Sequence, residues 1–281
     1  MTKHGLLRSY FGHICKCSLN AKQRPDIIII MKRTIEYIYE DEDILVCHKP
    51  AGIATEGAGV REVDLVSSVR NYLARKNRGV KGAGAPYVGT VYRLDKPVEG
   101  VVVVAKNKAA ASDIAKQIKD HSTEKYYYAI CYGSVPEDSG RLENYLIRRE
   151  DNGLAMAITK EEADSLSDNT ITLLTGAKLR IIGGDVKRAI LDYEVVKRNP
   201  ETTIVKVKLL TGRFHQIRVQ FAALGFPLLG DDKYGSENSI SYSQKNNIEI
   251  VNLACCKFGF KHPKTHKKVA FEITPTAFDM V

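Results

Sequence analysis

From Thr34 onward the chain lays β-type runs one after another with few helices between them, and this limits its possible folds more than any other feature. Ile44–Cys47 is a short apolar run stopped by the turn signal Lys49-Pro50-Ala51-Gly52, and Gly100–Ala105 is apolar throughout. Lys125–Tyr132 alternates with period two. Ala189–Lys197 and Thr202–Leu210 are separated only by Asn199-Pro200, and Asn252–Phe260 with Val269–Thr274 close the chain. Helical spacing is confined to Val63–Arg75, Ala109–His121 and His215–Leu224, the last closed by Gly225. A doubly wound parallel sheet places a helix between successive strands, so that architecture fits poorly. The pattern predicts an α+β fold with a long mixed, mainly antiparallel sheet and flanking helices and loops. Residues 150–186 are polar and mixed, and read as a hairpin-rich excursion.

A chain of 281 residues can bury a sizeable core without disulfides or metals. No apolar run approaches the roughly eighteen residues of a membrane span, so no membrane partner is expected. Lys and Arg (42) exceed Asp and Glu (33) by 9, a modest excess that suits a partner with a phosphate backbone. The six cysteines (Cys15, Cys17, Cys47, Cys131, Cys255 and Cys256) are sparse and irregular, which points to a reducing, cytoplasmic compartment. Cys255 and Cys256 followed by His262 and His266 resemble zinc spacing, but neighbouring strand residues face opposite ways. Three ligands at most would converge, and a strand ending in a polar turn at His262-Pro263 is the simpler reading; no metal is expected. The Gly-rich stretch 79–86 lacks the Gly-Lys-Ser/Thr ending of a phosphate loop and reads as a connector. Segment 1–30 is basic, with Asp26 its single acid, and shows no clear amphipathic period. Either it is an RNA-touching arm or it is an extension upstream of a true start at Met31. The second is preferred, with 1–30 poorly ordered and 31–281 the functional domain.

Three stretches carry candidate chemistry. In Tyr92–Gly100, Asp95 sits on a polar loop in front of the apolar run, between Arg93 and Lys96. Flanking cations favour its ionised form, and a carboxylate seated on a rigid strand is a candidate nucleophile. On chemistry alone a turn-capping aspartate between solvated charges is the simpler reading. In Leu209–Val219 a strand ends at Thr211-Gly212 and a helix begins. Ile217, Phe221 and Leu224 share one face; His215, Arg218 and Ala222 share another. A cation in the first turn opposes the helix dipole, so Arg218 asks for a specific anionic partner, unless it is simply solvated. Lys206 and Lys208 alternate with Val205 and Val207 and offer basic surface. In Glu124–Ile130, Tyr127 and Lys125 point away from Tyr126, Tyr128 and Ile130. Tyrosine stacks on nucleobases, yet aromatics also simply favour sheets.

Taken together, these stretches resemble the RluA family of pseudouridine synthases. YRLDKPVEGVVVVAK (92–106) is similar to that family's HRLD-x-x-T/S-S-G-L-L-L-x-A-K motif. KYYYAICYG (125–133) is similar to its K-x-Y-x-A-x-x-x-G strand. LTGRFHQIRVQFAALGFPLLGDDKYG (210–235) is similar to its L-x-T-G-R-x-H-Q-I-R segment and the Gly-Asp and Tyr-Gly that follow. Lys49-Pro50-Ala51-Gly52, Leu253 and His262-Pro263 add to the match, which runs in the family's order from about Thr34 to Thr274. Three positions depart from the motifs: Tyr92 stands for His, Val98-Glu99 for Thr/Ser-Ser, and Phe214 for Thr.

The resemblance implies the pseudouridine synthase fold and isomerisation of uridine to pseudouridine in ribosomal or transfer RNA. No cofactor is required, and the enzyme is a monomer without an obligate protein partner. Too few residues precede Lys49 to hold the S4-type module of many members. By position the resemblance makes Asp95 the catalytic aspartate, Tyr127 the active-site tyrosine and Arg218 the arginine paired with that aspartate. Ile217, Leu253 and His215 would line the substrate pocket, and Arg93 would stand where the RNA stack opens as the base flips out. Glu99 would add a negative charge close to an RNA surface. A catalytically idle RNA-binding protein on the same scaffold would be expected to have lost Asp95 or Arg218, and both are present. A small-molecule hydrolase using Asp95 would not need the basic surface.

Overall fold

The structure, a computed structural model, describes residues 34–57, 59, 62–79 and 84–278. The expectations for residues 1–30, and most of that for the Gly-rich connector, lie outside the described residues. Strands β1 (Glu36–Glu40) and β2 (Ile44–Lys49) form a hairpin whose turn is tied by Asp41, which accepts from the amides of Asp43 and Ile44. Helix α1 (Leu65–Lys76) starts at Asp64, which accepts from the Ser67 amide at 2.7 Å. After the short β3 (Gly89–Thr90) comes β4 (Glu99–Ala105), every residue of which is buried, as its apolar run requires. Helix α2 (Lys108–Lys119), capped by Asn107, leads to β5 (Glu124–Tyr132).

Strand β6 (Ser139–Arg148) leads into the excursion, which consists of β7 (Ala155–Ile158), the short α3 (Lys160–Asp164) and a separate hairpin, β8 (Thr170–Thr172) with β9 (Lys178–Arg180). These close over a satellite core of Ile147, Ile158, Ile171 and Ile181. Then follow β10 (Lys187–Arg198), β11 (Thr202–Leu209), α4 (Gln216–Ala223), α5 (Glu237–Lys245), β12 (Leu253–Lys261) and β13 (Lys268–Glu272).

The main sheet runs in the order β1-β2-β4-β12-β5-β11-β10-β6-β7, with β13 beside β12 and β3 beside β4. Its pairings are antiparallel except β12 with β4, so the sheet is mixed and mainly antiparallel. The parallel pair approaches very closely at Gly100. A Cβ there would lie 2.6 Å from Cys255, and φ is +148°, so glycine is required.

Two cores flank the sheet. One joins α1 and α4 to Val102, Val104, Tyr127, Val205 and Val207; the other joins Ile114 of α2 to Val101, Val103, Phe258 and Phe260. Period two in β4 thus feeds alternate valines to opposite layers. Helix α4 differs from its expected two-faced pattern. Gln216 through Phe221 are all buried, the polar members because each is hydrogen-bonded or paired inside. Burying Phe221 completely contributes about 2–3 kcal/mol.

Candidate active site

The loop before β4 is held from below. Thr55 Oγ1 donates to the Leu94 carbonyl at 2.8 Å and accepts from the Leu94 amide at 3.1 Å. The Gly52 amide donates to the Lys96 carbonyl at 2.8 Å. Lys49 is fully buried beneath the loop and donates to the carbonyls of Ile53 (2.7 Å), Pro50 (3.1 Å) and Lys96 (3.4 Å). Burial lowers its ammonium to about 7, against the pull of Asp95 and Glu99. Asp95 stands at the top of this clamp with its side chain 30% exposed. Its sequence neighbours do not serve it: Arg93 reaches Glu56 (3.2 Å) and Lys96 reaches Glu62 (2.7 Å). The flanking cations expected to hold Asp95 ionised are therefore engaged elsewhere.

Groups from α4 take their place. The turn before α4 is fixed by Gln216, whose Oε1 accepts from Thr211 Oγ1 (2.8 Å) and the Arg213 amide (3.0 Å). His215 occupies the N-cap in a left-handed conformation (φ 54°), and its Nε2 lies 3.5 Å from Asp95 Oδ2. Arg218, 2% exposed, brings Nη1 within 3.6 Å of the same oxygen.

Arg218 has a closer partner that the sequence reading missed. Its Nε and Nη2 donate to the two oxygens of buried Asp231, both at 2.7 Å, a bidentate pair. Asp231 also accepts from the amides of Lys233 and Tyr234. Gly230, at φ +70°, lets this chain segment pass against the Ile250 carbonyl, which a Cβ would strike. Burial works against the Arg218 charge, and the Asp231 bonds outweigh it, so its pKa is raised. Arg218 is thus a cation fixed by Asp231 and shared with Asp95, not a simple pair with the expected aspartate.

His215 is held on its other side by Tyr234, whose hydroxyl lies 2.7 Å from Nδ1 and accepts from the Ala155 amide. Burial, with the Arg218 charge added, drives the imidazole down to about 4 despite Asp95, so the ring is neutral at pH 7.

Beneath Asp95 the floor is apolar. Tyr127 on β5, Leu253 on β12 and Ile217 on α4 are buried and line the same cleft of about 660 Å³. Burial, the Cys255 thiol and the nearby Asp95 charge raise the Tyr127 phenol well above its ordinary value, so it is protonated. Arg93 stands at the mouth, exposed. All seven residues singled out from the sequence border this one cleft, placed by the four neighbouring strands β4, β12, β5 and β11 and the helix that follows β11.

One other expectation is corrected. Glu99 does not face an RNA surface. It is buried, 2.7 Å from His48 Nε2, and accepts from the amide and hydroxyl of Thr276, tying the C-terminal segment to β2. As their alternation predicts, Lys206 and Lys208 lie on the sheet face opposite Val205 and Val207, which pack with Tyr127, and Lys206 stands over Tyr126. The cations that do border the cleft are Arg93, Lys119, Lys125, Arg213 and Arg218. At the strand end, both nitrogens of His262 are engaged, Nε2 with Asp41 and Nδ1 with the amides of Lys264 and Thr265.

The family model for RNA pseudouridylate synthases matches residues 43–223. The ribosomal large subunit pseudouridine synthase D of Zymomonas mobilis is 31% identical over 241 residues, 85% of this chain and 68% of that protein. The dual-specificity RNA pseudouridine synthase RluA of Vibrio cholerae is 29% identical over 235 residues, 83% and 79% of the two chains. The chain belongs to the RluA family of RNA pseudouridine synthases. The fold agrees: human RNA pseudouridylate synthase domain containing 4 superposes with a TM-score of 0.64 at 20% identity, over 86% of this chain and 89% of that one. The synthase is therefore an isomerase acting on uridine in RNA. No helix among its described residues is long and apolar enough to cross a membrane.

Lys49, Asp231 and Tyr234 were not assigned roles from the sequence. All three do stand in the matched stretches, in Lys-Pro-Ala-Gly, in Pro-Leu-Leu-Gly-Asp and in Tyr-Gly. That position in the motif was the available signal.

Proposed function

We propose that the synthase isomerises one or a few specific uridines in ribosomal or transfer RNA, with Asp95 as the nucleophile on a flipped-out nucleotide. The observation that carries this reading is the setting of Asp95. It is a half-buried carboxylate within 3.6 Å of a buried arginine and a neutral histidine, in a cleft also lined by Tyr127, Ile217 and Leu253.

In the reaction the bond from ribose C1′ to uracil N1 breaks, a bond from C1′ to C5 forms, and the C5 proton moves to solvent while N1 gains one. Nothing is oxidised or reduced. Arg218 orients the Asp95 carboxyl group, and Asp231 keeps Arg218 from collapsing onto it. Uracil lies on the apolar floor, where Tyr127 offers its hydroxyl as a donor and its ring as a stacking face. A shielded floor protects the detached intermediate from hydrolysis. Arg93 at the mouth fills the place the base vacates in the RNA.

The catalytic domain spans residues 31–281, with 1–30 a basic extension, and the enzyme works as a cytoplasmic monomer. The test is tritium release from transcripts carrying uridine tritiated at C5. Purified synthase releases tritium from ribosomal or transfer RNA transcripts in step with pseudouridine formation, and Asp95→Asn releases none. An active Asp95→Asn enzyme would overturn the nucleophile assignment.

A further inference from the structure

Phe214 is a large apolar side chain that the fold does not bury. It is 47% exposed, yet it borders the catalytic cleft. Its ring is held in one orientation. It stacks on His215 with centroids 3.7 Å apart and planes 21° from parallel. His215 is in turn fixed by the Tyr234 hydroxyl and set edge-on to the Tyr234 ring. The imidazole is neutral at pH 7, so the pair presents an uncharged, pre-ordered aromatic surface. The guanidinium of Arg148, on β6, stands 5.0 Å from the centre of the Phe214 ring. That is wider than stacking contact. Arg148 is exposed, is tethered by one bond to the Gly153 carbonyl, and pairs with no carboxylate among the described residues.

An exposed ring on a rigid backing, with a guanidinium beside it that meets no carboxylate among the described residues, suits a nucleobase and its phosphate. Nucleobases stack on aromatic faces without regard to sequence, and arginine takes phosphate oxygens. The position selects which base. The target uracil belongs on the floor formed by Tyr127, Ile217 and Leu253. Phe214 lies in the turn between β11 and α4, stacked on His215, and its ring is exposed where Tyr127, Ile217 and Leu253 are buried.

The geometry points to Phe214 as a stacking platform for the nucleotide next to the flipped-out uridine, with Arg148 moving off the ring onto the adjoining phosphate. This rests on the reading of the cleft as the uridine site.

The test pairs protein and RNA changes. The probe is an unmodified RNA hairpin with one loop uridine, made also with either flanking nucleotide abasic. Removing one of the two flanking bases weakens binding to the wild type by about tenfold, as loss of one stacked base does. Phe214→Thr weakens binding of the intact hairpin by a similar factor, and the abasic change then adds nothing. Phe214→Trp retains binding and the sensitivity to the abasic site. Arg148→Ala reduces the dependence of log Kd on log salt by about one phosphate contact. Phe214→Thr binding the intact hairpin like the wild type, or losses that simply add, would overturn the platform. Tritium release by the wild type on ribosomal and transfer RNA transcripts, run alongside, separates this from the functional reading. If the wild type releases tritium and the cycle shows no coupling, only the platform fails. If it releases none, the reading of the cleft fails first.

Discussion

Replacing Asp231 by asparagine tests how the site is held together. Asp231 is buried, and it receives two 2.7 Å bonds from a guanidinium that is 2% exposed. Two unit charges about 4 Å apart attract by about 4 kcal/mol at the effective dielectric of a protein site. Breaking a buried pair by removing one partner destabilises by about 3–5 kcal/mol, because the other charge is left uncompensated. Asparagine keeps one acceptor, and Asp95 lies 3.6 Å from Arg218 Nη1, so the lower end applies. A loss of about 3 kcal/mol lowers the melting temperature of a domain this size by roughly 6–12 °C.

The catalytic effect has a separate origin. An Arg218 released from Asp231 swings toward Asp95, and misplacing a reacting group by about 1 Å reduces rate by up to a hundredfold. The assays are thermal melting and single-turnover pseudouridine formation on transcripts the wild type modifies. Asp231→Asn melts lower and turns over roughly ten- to a hundredfold more slowly, with RNA affinity little changed. A variant with wild-type melting and wild-type turnover would refute the reasoning, since Arg218 would then not depend on Asp231.

Asp95→Asn abolishes turnover but leaves RNA binding within a few-fold, checked by filter binding beside tritium release; lost binding would make Asp95 a binding group instead. The Glu99 bond, and Glu36 further out, raise the His48 pKa despite partial burial. Protonated His48 therefore stabilises the fold fully below its unfolded value of about 6.5, and that contribution disappears as pH rises through the higher folded value. Melting curves of wild type and Glu99→Gln should accordingly differ most at acidic pH and converge toward pH 8; a gap independent of pH would remove His48 from the account. Deleting residues 1–30 leaves turnover and RNA affinity intact, and a large drop in affinity on that deletion would make the segment an RNA-touching arm.

Much of the fold is written in local pattern. The apolar run of β4 can only be a strand buried on both faces, and the alternation of β5 puts Tyr127 on the core side with Ala129 and Cys131. Two elements leave no such trace. Strand β6 is half exposed along most of its length and is held by its pairing with β10 over eight residues, a long-range match no window of sequence reveals. Helix α5 buries only Ser239 and Ser243, so it has no apolar stripe to read.

The site divides the same way. Its members were named from motifs, and Arg218 does stand beside the distant Asp95, but several other charge partners were missed. Arg93 and Lys96 adjoin Asp95 in the chain and turn away to Glu56 and Glu62. Arg218 finds Asp231 across a loop, and Glu99 finds His48 on the neighbouring strand and Thr276 near the end of the chain. Burial decides the Arg218–Asp231 and Glu99–His48 pairings: a charge taken out of water needs a close counter-charge, and the fold alone determines which one arrives, whereas Arg93 and Lys96 pair at the surface.

A pseudouridine map of total RNA measures most directly whether this chain makes pseudouridine through Asp95. The map compares cells lacking the gene with the same cells complemented by wild type or by Asp95→Asn. One or a few pseudouridines in ribosomal or transfer RNA should vanish and return only with the wild type. Return of the same sites with Asp95→Asn would contradict the account, as would a map unchanged by loss of the gene.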